Sequence, residues 1–156
     1  KWADIMKWVN HEIVTGVIVY TVVQDPLLSV YSMAGAIVPD KVEGNPRGAN
    51  YWRWRKRHRG WSHWPIGYLL LFIFLQQVMA SGKLPALADL IVIGSYLCIG
   101  AMLHIAEDAI CGKVPFFTPW HKIGIKLFKV GSATEYFVAI LIVVGCYIAH
   151  LLFMLE

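Results

Sequence analysis

Three long apolar runs constrain this chain more than any other feature of its sequence. They occupy residues 64–80, 84–106 and 133–155, and each is close to the roughly 20 residues that a helix needs to cross a bilayer. Asp89 is a charge inside the second run, but it lies near that run's end, where a charged side chain reaches the interface at modest cost. We therefore predict three transmembrane helices, at about 63–80, 84–108 and 133–155.

The composition agrees with a chain that is largely surrounded by lipid. Hydrophobic residues make up 58% of the 156 residues and charged residues 15%, whereas about 25% of a soluble domain is charged. The length suits a single membrane domain spanning residues 1–156. The three cysteines form no CxxC pair, which argues against a disulfide framework and against a zinc ribbon.

Two further apolar runs lie within residues 12–38 and are separated by Gln24-Asp25-Pro26. Proline interrupts a helix, and the residue before it avoids the helical conformation. The segment is therefore either one kinked helix or a short helical hairpin with helices at about 11–24 and 27–39. Each half is short for a complete span, because its run of 12 residues covers only about 18 Å at helical rise.

Charge favours the hairpin, and the positions of ligand-type residues favour it more strongly. A hairpin puts the basic loop 41–62 and the loop 109–132 on one membrane face, together with every Lys and Arg except Lys83. The positive-inside rule assigns that face to the cytoplasm. The predicted fold is thus an all-α, multi-pass integral membrane protein with a short N-terminal helical hairpin and three transmembrane helices.

In this arrangement several segment ends meet at one membrane face, and each brings a histidine or a carboxylate. His104 and Asp108 are four residues apart and share one face of a helix. Imidazole together with carboxylate suits zinc, with manganese and iron(II) as alternatives. We predict a site for one or two divalent ions whose candidate ligands are His11, Asp40, His58, His63, His104 and Asp108.

Two more residues are candidates for catalysis at this face. Glu135 begins the last helix and would serve as a ligand or as the general base. Arg59 would face a negatively charged substrate, since guanidinium suits phosphate. Two structural alternatives remain open at this point: His104 and Asp108 as a hydrogen-bonded pair between helices, and the run HRGWSH as a basic loop. The mixed basic and aromatic run YWRWRKRHRGW is explained by phospholipid headgroups, so no nucleic acid is expected.

The same residues carry a resemblance to a known family. His11 lies in NHEIVTG at the start of the first helix, and Pro39-Asp40 closes the second. HRGWSH spans residues 58–63, an H-x-x-x-D motif runs from His104 to Asp108, and a G-(S/N)-x-x-E motif ends at Glu135. In these motifs and in their order, nearly the whole chain resembles the YdjM-like inner-membrane, metal-dependent hydrolases of bacteria. The resemblance implies a bacterial inner-membrane location and metal-dependent hydrolysis.

The chain departs from the family pattern at one important point. The family usually has PD-x-DH, whereas the run here is Pro39-Asp40-Lys41-Val42-Glu43. Val42 replaces the second aspartate and Glu43 stands in place of the histidine. Trp64 also follows HRGWSH where serine is usual. Either Glu43 substitutes for the histidine, or this protein binds fewer metal ions than its relatives, or it is a non-catalytic member.

The predicted function is metal-assisted hydrolysis of an ester or phosphoester at the cytoplasmic membrane face. A substrate attached to a lipid is one candidate. Membrane lipid is the expected surrounding partner. The main alternative is a non-catalytic subunit of a larger membrane complex, in which the cluster is structural. A metal transporter is a weaker alternative, because the helix centres lack a polar path.

Overall fold

The computed structural model describes residues 2–44, 58–128 and 132–155, with side chains from residue 9 onward. These parts of the chain form five α-helices, which confirms the all-α prediction. Two short 3₁₀ helices, Trp61–His63 and Pro85–Leu87, and one antiparallel pair of two-residue strands, β1 (Val114–Pro115) and β2 (Lys122–Ile123), lie between them. The helices are α1 (Trp2–Val23), α2 (Pro26–Glu43), α3 (Pro65–Ser81), α4 (Ala88–Cys111) and α5 (Ala133–Phe153).

The break between α1 and α2 is a turn of two residues. Gln24 adopts a left-handed backbone conformation with φ of 57°. Asp25 caps α2, because its carboxylate accepts hydrogen bonds from the backbone N–H groups of Leu27 and Leu28 at 2.8 and 3.0 Å. Pro26 occupies the first helical position, where its missing N–H costs nothing. Since α1 and α2 pack against each other, the segment is a helical hairpin rather than one kinked helix.

Both arms of the hairpin are longer than the sequence predicts. α1 has 22 residues and α2 has 18, because polar residues continue each helix beyond its apolar run. α2 continues past Pro39 to Glu43. Gly44 caps the helix: its backbone N–H donates to the carbonyl oxygen of Asp40 at 3.1 Å, and its own φ is 71°. This extension carries Asp40 and Glu43 on one side of the helix, three residues apart. Of the predicted basic loop 41–62, residues 45–57 lie outside the described residues.

The most extensive helix contact is between α2 and α4. Small residues allow the two backbones to approach closely, as is common between membrane helices. A β-carbon on Gly35 would lie 2.3 Å from the carbonyl oxygen of Leu97, and one on Gly100 would lie 1.9 Å from that of Ser32. Because this contact lies on the same helices as Asp40 and His104, it fixes the distance between them.

Two of the described helical segments are long and apolar enough to cross a membrane, by length and composition: Pro85–Cys111 and Ala133–Phe153. Val9–Val23 and Pro65–Ser81 are apolar but shorter. α3 packs on α4, and α5 packs mainly on α1. Most large apolar side chains on α3 and α5 are exposed, which is typical of surfaces in contact with lipid.

The segment after α4 folds back onto the end of that helix. The backbone N–H groups of Ile125 and Leu127 donate to the carbonyls of Ala109 and Ile110, each at 2.8 Å. Lys122 donates from Nζ to the carbonyl oxygen of His58 at 2.8 Å. These bonds tie the HRGWSH segment to the end of α4. Of the predicted loop 109–132, residues 129–131 lie outside the described residues.

Candidate metal centre

Four side chains from three separate segments meet at one end of the α2–α4 contact. Nε2 of His63 lies 3.3 Å from Oδ1 of Asp40 and 3.5 Å from Oδ2 of Asp108. Nε2 of His104 lies 3.9 and 3.7 Å from the same two oxygens. We call Asp40, His63, His104 and Asp108 the ligand cluster. The structure thus brings together four of the six metal ligands predicted from the sequence.

Three members of the ligand cluster are deeply buried, and several of their inward atoms make no hydrogen bond within the described residues. The exposed fractions of His63, His104 and Asp108 are 0%, 1% and 3%. Nε2 of His63, both ring nitrogens of His104 and Oδ2 of Asp108 lack a hydrogen-bond partner. Because a buried polar atom without a partner costs about 1–3 kcal/mol, so many at one point indicate a missing ligand. The His104–Asp108 separation of 3.7 Å also does not support a simple hydrogen-bonded pair.

The spacing of these atoms fits a divalent ion. Ligand atoms about 2.0–2.1 Å from a tetrahedral zinc are about 3.3 Å from one another, and the four measured separations run from 3.3 to 3.9 Å. Two imidazoles and two carboxylates are a chemically suitable ligand set for zinc, manganese or iron(II). Asp40, His63 and His104 form one group in which one ligand atom of each residue lies within 4.8 Å of the others.

His63 is held in the orientation that a metal ligand needs. Oγ of Ser62 lies 2.9 Å from Nδ1 of His63 and also donates to Oε1 of Glu43 at 3.4 Å. A hydroxyl that donates to Glu43 accepts from His63, so the imidazole proton is assigned to Nδ1. The lone pair of Nε2 then points at the ligand cluster. Backing of a ligand histidine by a second polar group is characteristic of metal sites.

Glu43 is the centre of this supporting network. Its carboxylate binds Nδ1 of His58 and accepts a bond from the backbone N–H of Gly60 at 3.4 Å. Burial opposes ionisation of Glu43, but the hydrogen bonds from His58 and the Gly60 N–H, together with the charges of His58 and His63, outweigh burial and keep the pKa of the carboxyl below its ordinary value. Glu43 therefore supports the HRGWSH segment as an anion. His58 lies beside His63, with ring centroids 5.9 Å apart, and is held by Glu43 at the edge of the ligand cluster.

Val42, where the family usually has aspartate, points away from the site. Its exposed fraction is 72%, while its neighbour Glu43 is directed inward to His58 and Ser62. In this structure the departure at Val42 removes no member of the ligand cluster.

His11 lies on the α1 side of the ligand cluster. Its ring centroid is 4.2 Å from that of His104, and its Nε2 is 3.7 Å from Oδ1 of Asp108. His11, His104 and Asp108 also form a second group in which one atom of each lies within 4.8 Å of the others. His11 is thus placed either to bind a second ion or to exchange a proton beside an ion held by the ligand cluster.

Glu107 is a site residue that the sequence analysis missed. Its Oε2 lies 2.6 Å from Nδ1 of His11, and its Oε1 accepts a hydrogen bond from the hydroxyl of Thr15 at 3.4 Å. The carboxylate fixes the His11 proton on Nδ1 and leaves Nε2 facing Asp108. A signal was present, since Glu107 is an acidic residue in an apolar helix, three positions after His104.

Arg59 binds Asp108 in this structure. Its Nη2 donates to Oδ1 of Asp108 at 2.6 Å, which leaves Oδ2 of that carboxylate for the ligand cluster. Arg59 has φ of 57°, a left-handed conformation that costs a non-glycine residue about 1–2 kcal/mol. The buried ion pair therefore holds the backbone of the HRGWSH segment in a strained conformation.

Glu135, predicted as a ligand or general base, lies on the far side of His11 from the ligand cluster. It is buried, and its Oε1 accepts a hydrogen bond from Nδ2 of Asn10 at 2.9 Å. It lines a groove between α1, α4 and α5 that also contains His11 and Glu107. The structure therefore places Glu135 beside the ligand cluster but not within it.

Fold and site together define a small helical membrane protein with a buried His–Asp cluster suited to a divalent ion. The sequence model of the YdjM inner membrane protein family matches residues 6–155, so the chain belongs to this family, as the sequence motifs predicted. No curated protein and no solved structure matches the chain.

Proposed function

We propose that this protein is a divalent-metal-dependent hydrolase of the inner membrane that acts on an ester or phosphoester. The observation that carries the proposal is the convergence of ligand-type atoms from Asp40, His63, His104 and Asp108. Among them, Nε2 of His63, both ring nitrogens of His104 and Oδ2 of Asp108 are buried without a hydrogen-bond partner in the described residues. These four residues would hold one ion, with zinc the first choice and manganese or iron(II) as alternatives. When bound, the ion would supply Lewis acidity and activate water at neutral pH.

The remaining polar residues have separate roles in this mechanism. His11 accepts the proton of the attacking water on Nε2, and Glu107 stabilises the resulting imidazolium through Nδ1. We assign this role to His11 rather than to Glu135, because Nε2 of His11 lies 3.7 Å from Asp108. Arg59 orients Asp108 and adds positive charge at the edge of the site. If two ions bind, His11 becomes a ligand instead.

We further propose that the site faces the cytoplasm at the level of the lipid headgroups. The segments beside the ligand cluster carry basic residues, and the positive-inside rule assigns such segments to the cytoplasm. Trp61 and Trp120 are exposed, with ring centroids 5.5 Å apart. Exposed tryptophans of this kind are typical of the membrane–water interface. The substrate would then reach the site from the membrane surface.

One observation favours the non-catalytic alternative. The ligand cluster joins α2, α4 and the 3₁₀ helix Trp61–His63, as a structural ion would, and such a protein would serve a larger assembly. An assay on the full chain separates the two functions. Protein with a defined metal content is placed in vesicles of bacterial polar lipids, and hydrolysis products are measured by mass spectrometry.

The enzyme is expected to release products that are lost with chelator and in His11→Ala, and retained in His121→Ala. His121 is an exposed histidine outside the ligand cluster. If the metal-bound wild type releases no more product than vesicles without protein, the structural alternative is established instead.

A further inference from the structure

A groove lies between α1, α4 and α5, next to the ligand cluster. The groove is open on one side, and the space within it and at its mouth amounts to about 420 Å³. Most of its wall is apolar, and the main contributors are Val14, Ile110, Val138, Ala139 and Ile142.

α5 contributes one continuous face to this groove. Glu135, Val138, Ala139 and Ile142 follow the spacing i, i+3, i+4, i+7, so they lie on one side of the helix. The other sides of α5 carry exposed apolar residues such as Ile140 and Val144. The groove wall is therefore continuous with a surface that, in a membrane-spanning helix, contacts lipid.

The polar residues of the groove are gathered at the end nearest the ligand cluster. Asn10 and Glu135 are hydrogen-bonded to each other there, and Glu107 binds His11. His11 stands at the boundary, with Nδ1 turned to Glu107 in the groove and Nε2 turned to Asp108. A molecule with an apolar tail in the groove would thus present its polar end to the ligand cluster.

The occupant of such a groove at membrane depth is a hydrocarbon chain. α4 and α5 contain the two candidate membrane spans, and α5 packs mainly on α1 rather than on α4. The groove is therefore bordered by both candidate spans, which do not pack closely on each other. Water has no place in the hydrocarbon region, and an apolar wall offers it no hydrogen bonds.

We propose that this groove binds one acyl chain of a phospholipid and places the lipid's ester or phosphate group beside His11. Binding of the acyl chain does not require a metal ion and is therefore independent of the proposed hydrolase function. Only the further step, that the bound lipid is the substrate, rests on that function. Selection would then act on the tail as well as on the headgroup, and soluble short-chain esters would be poor substrates.

Photo-crosslinking tests the proposal on the full chain in nanodiscs of phosphatidylethanolamine and phosphatidylglycerol. A trace of phosphatidylglycerol carries a diazirine in one acyl chain, and mass spectrometry locates the labelled residues after irradiation. We expect labelling of Ile110 and Cys111 inside the groove, in addition to general labelling of lipid-facing Ile140. Ala139→Leu fills the groove. It should lower the labelling of Ile110 and Cys111, relative to the labelling of Ile140, at least fivefold.

Two control variants make the outcome specific. Gly145→Leu adds a side chain to α5 where a β-carbon meets open space, and it should leave the labelling ratio unchanged. Asp108→Asn should lose metal but keep groove labelling, while Ala139→Leu should keep metal and lose the labelling. An unchanged ratio in Ala139→Leu, or crosslinks between two copies through this face, would overturn the groove assignment without affecting the metal proposal.

Discussion

Glu43 illustrates how a single residue supports the site without belonging to the ligand cluster. Its carboxylate holds His58 directly and His63 through Ser62. Removing such an outer carboxylate typically lowers metal affinity about 10–100-fold. We expect Glu43→Gln to weaken metal binding by that factor, measured by competition with a chromogenic chelator. Glu12→Gln, which removes a carboxylate from α1, should leave the affinity within twofold, and an equal loss in both variants would contradict the role of Glu43.

Substitution of Val42, unlike that of Glu43, is expected to leave metal binding unchanged. Because its side chain points outward, restoring the family's aspartate by Val42→Asp should not add a ligand to the cluster. Metal stoichiometry by mass spectrometry should therefore be the same in Val42→Asp and the wild type. A gain of one full equivalent would show that the helix end rotates Val42 inward and that this protein has lost an ion site.

At the residue scale, sequence reasoning predicted the members of the ligand cluster better than the residues that contact them. His63, His104, Asp40 and Asp108 could be predicted to come together because histidine and aspartate are rare in apolar segments and fell at the predicted ends of those segments. The roles of Glu107 and Ser62 were not predictable, since they depend on rotamers and on contacts between distant segments. The sequence signalled only that Glu107 is an acidic residue in an apolar helix. The pairing of Arg59 with Asp108 spans 49 positions, and no local spacing predicts it.

The α2–α4 contact determines the geometry of the site at the scale of elements. Gly100→Val would place a side chain against the carbonyl of Ser32, where a β-carbon already lies 1.9 Å away. Helix separation would cost about 1–3 kcal/mol and would move His104 away from Asp40. We expect a lower thermal midpoint and loss of bound metal, measured by fluorescence-detected unfolding and metal analysis. Gly145→Val, at an open position on α5, should keep the thermal midpoint and the bound metal of the wild type. A Gly100→Val variant that is as stable as the wild type and still binds metal would contradict the role of the α2–α4 contact.

The helices themselves were largely predictable, but their ends were not. Apolar runs and the Asp25-Pro26 break predicted the five helices and their order. The extension of α2 to Glu43 was missed because Pro39 and the polar residues after it suggest an end. Pro39 is fully buried in the folded structure, and the sequence does not show that the helix continues through it.

At the scale of the whole molecule, we predict that the ligand cluster faces the cytoplasm. With the site in the cytoplasm, the turn between α3 and α4 lies on the opposite side of the membrane. A cysteine at Ser81 should react with a membrane-impermeant maleimide in intact cells, above the background of the native cysteines. A cysteine at Thr118 should react only after the membrane is permeabilised. The reverse pattern would place the site outside the cytoplasm.

The most direct test of the account is the metal content of the purified full chain. Inductively coupled plasma mass spectrometry is applied to the wild type, His63→Ala and His121→Ala, each checked for folding by circular dichroism. We predict one to two equivalents of a divalent ion in the wild type and in His121→Ala, and at least one equivalent fewer in His63→Ala. Absence of metal from the wild type, or equal metal in His63→Ala, would contradict the assignment of the ligand cluster.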